Sequence, residues 1–445
     1  MPFLLSTLPT PTDLAEVRAA DLDGDGRQEL VLVSRIPKGK APDAVRLTVV
    51  RFDSNAKELS RTAIDLGQRP LIWDLHSGIY AIDGEGVQNL LTGTRIASRR
   101  TILGSLGATT PIAADFVHDV DKDGKPEFAL YAAGKVWLYR SDGTEWGSIA
   151  LPQEGNLRVE GDRGGARLSA AASWPRIAFG DLDGNGTDDL LITQGTRLTV
   201  GKISPGGLER LDLTLPVDLD PHPDPGRARD KERLELDGAW LRDLDGDGKV
   251  DLVSHHWVVG STFFGATAEI TWARGTGAGF GSPVRFRTSS AVLDVRLVDQ
   301  EGDRDLDLLC LQADLGLANI ARALVSKRVE LQLASFPWAG GLTQQPKTLA
   351  TLSFSVMDPD GTRYELEGDL NGDRRPDLVV HQAEGGLRAQ LSSPTGFSSA
   401  ADLSWAGALP PGDDPLFAAD LTGDGRAELV VWGPGRKEAT LLRVP

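Results

Sequence analysis

Short apolar runs bounded by Asp, Gly and Pro recur along the whole chain, among them Leu30-Val31-Leu32-Val33, Leu190-Leu191-Ile192, Leu252-Val253 and Leu378-Val379-Val380. Their length and flanks predict buried β-strands. Each follows an acidic cluster, and another short strand, such as Val17-Arg18-Ala19-Ala20 or Ile177-Ala178-Phe179, precedes most clusters. Each cluster is therefore expected at the tip of a β-hairpin. Two further strand-like runs follow before the next hairpin, as at 45–52 and 59–66, which makes four strands per repeat. Helical spacing is clear at 316–327, where Leu317, Ile320, Ala321 and Leu324 share one face.

The clusters align on Asp-x-Asp-x-Asp-Gly-x-x-Asp/Glu. The first four are Asp21, Asp23, Asp25 and Glu29; Asp119, Asp121, Asp123 and Glu127; Asp181, Asp183, Asn185 and Asp189; and Asp243, Asp245, Asp247 and Asp251. Three more vary the theme: Asp299, Glu301, Asp303 and Asp307; Asp369, Asn371, Asp373 and Asp377; and Asp420, Thr422, Asp424 and Glu428. An eighth, decayed copy is read at Ala81-Ile82-Asp83-Gly84-Glu85-Gly86, which has lost the first aspartate. Starts at 21, 81, 119, 181, 243, 299, 369 and 420 have the period of four-stranded propeller blades. The expected fold is all-β: one propeller over 1–445, with eight blades favoured over seven. After the last cluster only two strands remain, so the N-terminal segment Phe3-Leu4-Leu5-Ser6-Thr7-Leu8 is expected to supply the final strand and cover an exposed edge.

Calcium takes six to eight oxygen ligands, and alternate side chains in a tight loop converge on one point. Positions 1, 3, 5 and 9 supply oxygens. The carbonyls at position 7 (Arg27, Lys125, Thr187, Lys249, Asp305, Arg375 and Arg426) would add one each, giving about seven sites. A single Asp-Gly cluster is merely a good turn. Seven with an acid kept at position 9 need another cause, because uncompensated carboxylates repel. Arg304 and Arg374 replace the glycine of position 6, which predicts strained or altered turns there.

Composition adds limits. The formal charge of −17 would by itself argue for repulsion from nucleic acid and anionic membranes, or for a basic partner, but much of it sits in these clusters. No apolar stretch is long enough to cross a membrane, so no membrane insertion is expected. The N-terminus lacks the basic start of a signal peptide. The single cysteine, Cys310, lies in an apolar run and reads as core filler.

These residues resemble the FG-GAP and VCBS repeats of integrin α-subunit propellers, bacterial surface proteins, some lectins and rhamnogalacturonan lyases. Phe179-Gly180 before Asp181 is nearest to the name-giving FG, and the missing Gly-Ala-Pro places the match closer to the bacterial VCBS type. The resemblance implies calcium in hairpins on one face, commonly ligand binding on the other, and an extracellular, cell-surface or periplasmic location. The expected function is a non-catalytic module binding protein or glycan; the alternatives are a polysaccharide lyase-like enzyme or a structural subunit of a surface assembly. No Gly-x-Ser-x-Gly, His-Glu-x-x-His, Cys-x-x-Cys or P-loop occurs. The candidate ligand residues are His255, His256 and Trp257, expected in a connection away from the calcium hairpins, with inserted connections at 34–44, 216–235 and 316–327 as further candidates. Burial in the core is the plainer reading of the trio. Trp73, Trp338 and Trp405 are candidate sugar-stacking residues, with packing between blades the plainer reading of each.

Overall fold

In the computed structural model of this chain, every acidic cluster but the decayed one joins the first two strands of an antiparallel sheet. The structure describes residues 4–444 except 11–12, 108, 152–154, 163–164, 173–175, 205, 220–232, 260–266, 315, 356–361, 367, 383–385, 394–395, 399–400, 406–415 and 434–435. The first blade shows the plan. Leu14–Ala20, Glu29–Lys38, Ala41–Phe52 and Glu58–Gly67 pair in chain order, with Leu30 facing Val50 and Ala20 facing Glu29. Blades of the same order follow at 72–98, 117–150, 176–214, 233–287, 291–355 and 362–405. The fold is a β-propeller of eight four-stranded blades.

The eighth blade is assembled from both ends of the chain. Leu416–Ala419, Glu428–Val431 and Glu438–Arg443 take their fourth strand from Leu4–Pro9, which runs antiparallel to Glu438–Arg443 with Leu5 opposite Leu442. An extra hairpin, Gly155–Asp162 with Gly165–Ala172, stands between the third and fourth blades.

The chain forms two compact units, one holding blades two to four and the other the remaining five. In each, the core lies between neighbouring blades. Leu14, Leu30, Leu32, Val50, Val430 and Leu441 form one such layer, and Val120, Val136, Leu138, Leu190 and Ile203 another. Alternation along each strand sends every second side chain into such a layer. Each Leu or Ile so buried contributes about 1.5–3 kcal/mol relative to exposure. Cys310 is completely buried in the layer that also holds Phe336 and Trp338, as its apolar neighbours predict.

Two expectations change. The decayed copy is not a blade-opening hairpin: Gly78–Asp83 and Gly86–Asn89 are the second and third strands of blade two, so Asp83 to Gly86 is the turn at the other end of the sheet. The true counterpart of the acidic loop there has shrunk to Ser77, between Ile72–His76 and Gly78–Asp83. The stretch 34–44 is no inserted loop either, because Ser34 to Ala44 continue the hairpin, with Ile36 opposite Ala44 and Lys38 opposite Ala41. Most of 216–235 lies outside the described residues. The helix Leu317–Ser326 forms where its spacing predicts, between the strands Asp307–Ala313 and Arg328–Phe336.

Candidate metal loops

Each acidic loop is first a backbone-folding device. In the loop at 21, Asp21 Oδ1 accepts the N–H groups of Gly24 (2.7 Å) and Asp25 (3.2 Å), while Oδ2 accepts that of Gly26 (2.9 Å). Asp25 Oδ1 accepts the N–H of Arg27 at 2.9 Å. That contact repeats from position 7 to position 5 in every loop, including Thr187 to Asn185 and Arg426 to Asp424. To wrap the backbone around the first carboxylate, positions 4 and 6 take left-handed φ, as Gly24 (76°) and Gly26 (85°) show. Arg304 (80°) and Arg374 (67°) adopt the same conformation, so their turns are kept, with strain, rather than altered.

The acid at position 9 begins the second strand and is buried. Glu29, Glu127, Asp189, Asp251, Asp307, Asp377 and Glu428 are all at most 3% exposed. One of its oxygens commonly accepts the N–H of position 2, as from Leu22 to Glu29 (2.8 Å), Val120 to Glu127 (3.0 Å) and Leu244 to Asp251 (3.0 Å). In Asp loops the other oxygen reaches a backbone N–H of the same blade, that of Gly275 for Asp251 (2.6 Å) and of Ser392 for Asp377 (2.8 Å). Burial pushes Glu127 and Glu428 up to about 7, and Asp251 and Asp377 up to about 6. A positive charge beside such a group would favour its ionised form.

Four loops provide the setting for one. In each of Asp21-Asp23-Glu29, Asp119-Asp121-Glu127, Asp181-Asp183-Asp189 and Asp243-Asp245-Asp251, three carboxylate oxygens lie within 4.8 Å of one another. Asp243 Oδ1 is buried without a hydrogen-bond partner, an acceptor that a cation would satisfy. These donors, hard oxygens on a loop with further carbonyls nearby, suit calcium or a similar divalent ion. In two of the loops a guanidinium approaches the position-3 acid: Arg51 at 3.2 Å from Asp23 and Arg274 at 2.5 Å from Asp245.

The other three loops close upon themselves. Burial, and then a hydrogen bond with Glu301, push Asp307 well above the usual carboxylate range. Asn371 Nδ2 donates to Asp373 Oδ2 (3.3 Å), and Thr422 Oγ1 donates to Glu428 Oε1 (3.4 Å). In each case position 3 has turned to another would-be ligand. At the decayed copy, Arg95 clamps Asp83 through two bonds of 2.7 and 2.8 Å.

One arrangement the sequence reading missed links the loops to one another. The N–H of position 8 donates to position 1 or 2 of the preceding blade's loop: Asp188 to Val120 (2.7 Å), Leu306 to Leu244 (2.7 Å) and Ala427 to Asp369 (2.7 Å). Pro126 and Pro376 hold this position in the loops at 119 and 369 and have no N–H to give. The side chain at position 7 also lies over the position-4 glycine of the preceding loop, so that a Cβ on Gly302 would meet Arg375 Cγ at 3.4 Å and one on Gly372 would meet Arg426 Cγ at 3.5 Å. Asp188 further binds His118 Nε2 (2.7 Å), whose ring stacks on Phe179 at 4.8 Å. The only sequence signal for this wiring is the recurrence of glycine at position 4.

The candidate ligand trio is not on a connection. His255, His256 and Trp257 lie inside the strand Asp251–Val259. His255 is fully buried with Nδ1 3.0 Å from Asp237 Oδ2, His256 is buried, and Trp257 packs against the apolar layer that includes Leu311 and Leu333. Burial pulls the His255 pKa down. Trp73 and Trp338 are buried, and Trp405 is half-buried against the Leu387 and Leu403 layer, so all three serve packing.

The family model for FG-GAP-like repeats matches residues 119–192 and 369–431. No curated protein matches the chain. Among solved structures, the fold is similar to that of BBS1N in complex with ARL6DN, soaked with lead (11% identity over 75% of this chain and 93% of that one, TM-score 0.31). It is also similar to an Agrocybe aegerita lectin that recognises non-reducing terminal N-acetylglucosamine (13%, 71% and 88%, 0.28). A third is the V. cholerae biofilm matrix protein Bap1 (12%, 96% and 77%, 0.25). No helix among the described residues is long and apolar enough to cross a membrane.

Proposed function

We propose that this eight-bladed propeller, whose residues 119–192 and 369–431 match the FG-GAP-like repeat model, is a calcium-stiffened, non-catalytic binding module working outside the cytoplasm. The observation that carries the reading is the convergence of three carboxylates, at least one of them buried, in each of four loops. Calcium held there would neutralise the crowded carboxylates and lock each hairpin. Positions 1, 3 and 9 of those loops would hold it, with the position-5 side chain and position-7 carbonyl completing the set. The loops at 299, 369 and 420 would bind it more weakly, having already satisfied position 3 internally.

Extracellular calcium-binding modules commonly have dissociation constants of about 10⁻⁴–10⁻³ M, the range this reading expects for the four loops. The acidic hairpins occupy one end of their sheets, so a protein or glycan ligand is assigned to the connections at the opposite ends. Calcium would then act through stiffness rather than contact.

Calcium titration by calorimetry, with elemental analysis of the dialysed protein, tests the metal half. About four ions per chain are expected. A protein that takes up none, and whose unfolding ignores chelators, would end the calcium reading. A glycan and protein-ligand screen with and without chelator tests the other half.

A further inference from the structure

The helix Leu317–Ser326 is inserted between the second and third strands of blade six, at the end of the sheet opposite the acidic loop at 299. Gly316 opens it in extended conformation and Lys327 closes it in the left-handed region at φ 60°. It has no buried residue. An ordinary surface helix turns its apolar stripe inward. Here the sides are reversed. Asn319, Ile320 and Ala323 are the half-covered positions, while Leu317 is 70% exposed, Leu324 60% and Val325 86%. At about 100° per residue, Leu317, Ala321, Leu324 and Val325 form one continuous outward arc. Of eight large hydrophobic side chains that the described residues leave exposed, three stand in this one helix, so the patch is not random scatter.

Its charge differs as sharply from the rest of the chain. Between 315 and 329 there is no acid and there are three bases, Arg322, Lys327 and Arg328, in a protein of net charge −17. Arg322 and Lys327 are exposed beside the apolar arc. Apolar side chains flanked by cations match a surface with acyl chains below and anionic headgroups above. The helix presents only one side, because the other rests on its own blade, and so it suits a flat partner better than a groove that wraps a helix.

We propose that this helix is a peripheral docking element for an anionic lipid surface, lying in the headgroup plane without crossing it. Leu317, Leu324 and Val325 enter the acyl boundary, and Arg322 and Lys327 contact the lipid phosphates. The proposal does not depend on calcium in the acidic loops.

The test is flotation of the full chain with vesicles of phosphatidylcholine containing about 30% phosphatidylglycerol and with phosphatidylcholine alone, at constant calcium. Wild type is expected to float with the anionic vesicles, and Leu317→Glu/Leu324→Glu/Val325→Glu to lose binding about tenfold or more while keeping its melting temperature. Arg322→Gln/Lys327→Gln should lose binding several-fold, and more in low salt than in high. If the triple variant misfolds, the single variant Leu324→Gln provides the same comparison. Absence of wild-type flotation, or equal binding by a folded variant, overturns the proposal. So does a wild-type dimer in sedimentation that the variant abolishes without any lipid binding, since the face would then belong to a second copy.

Discussion

Gln28 and Asp420, from the first and last blades, bind each other twice: the Gln28 N–H donates to the Asp420 carbonyl at 2.8 Å, and Gln28 Oε1 accepts the Asp420 N–H at 2.9 Å. Beside them Arg27 lies over Gly423, where a Cβ would meet its Cγ at 2.9 Å. The acidic loops thus reinforce the seam that the N-terminal strand closes. Gln28→Ala removes one of the two bonds and should cost about 0.5–1.5 kcal/mol, read as a lower urea midpoint at unchanged slope. Gly423→Ala should cost more, because it forces both a left-handed alanine at φ 71° and a displaced Arg27.

Removing calcium should lower the melting temperature, since a ligand of the native state alone stabilises by mass action. Asp245→Asn should remove one ion per chain and make the fold less sensitive to EDTA. Thr422→Ala, in a loop already closed on Glu428, should leave the stoichiometry unchanged. Calorimetric titration of both variants distinguishes loops that gather three acids from those that do not.

The pH dependence of the metal-free protein follows from the raised position-9 acids. Burial lifts Glu127 and Glu428 to about 7 and Asp251 and Asp377 to about 6, so the native state holds protons that the unfolded chain releases near 4. Their contribution is complete below that unfolded value and is lost as pH rises through 6 to 7. His76 and His255, lowered by burial, act in the opposite sense but are fewer. In EDTA, thermal stability should therefore fall between about pH 5 and 7.5. With saturating calcium the trend should reverse, because the ion needs the deprotonated carboxylates. Melting curves at both ends of that range, with and without calcium, check the crossing.

Arg374→Gly should stabilise the seventh-blade loop by about 0.5–1 kcal/mol by relieving a left-handed arginine, less what glycine adds to unfolded-state entropy. Chemical denaturation provides the comparison. The same change at Arg304 should behave alike, whereas Lys122→Gly removes a similar strain at φ 59° and also the 3.4 Å contact of Lys122 with Asp188.

Seven of the eight blades, and the gathering of acids in their first hairpins, were legible because side chains at positions 1, 3 and 9 recur at fixed spacing, and a short loop leaves few ways to arrange them. The copy at 81 misled for the same reason: Asp83-Gly84 makes a good tight turn anywhere in a sheet, and its neighbours happen to imitate the motif. His255-His256-Trp257 looked unusual as a string, but strand alternation with no polar break hides the histidines inside the blade. The links through positions 4, 7 and 8 join residues from different repeats, and spacing along the chain carries no information about them. Nor does helical periodicity reveal that the apolar side of 317–326 faces outward, since that depends on which side the neighbouring strand covers.

The antiparallel pairing of Leu4–Pro9 with Glu438–Arg443 has a consequence for biogenesis. Leu4–Pro9 leaves the ribosome more than four hundred residues before its partner Glu438–Arg443. At about 5–20 residues per second the first strand waits tens of seconds with its hydrogen-bonding edge unsatisfied. Intervening blades can stack as they emerge, but the layer that joins Leu8 to Val430 and Leu441 is sealed only once Glu438–Arg443 has emerged. The nascent chain is thus vulnerable to misassociation at Leu4–Pro9 for longer than at strands whose partners follow at once, and a chaperone that shields this strand would act where the need is long.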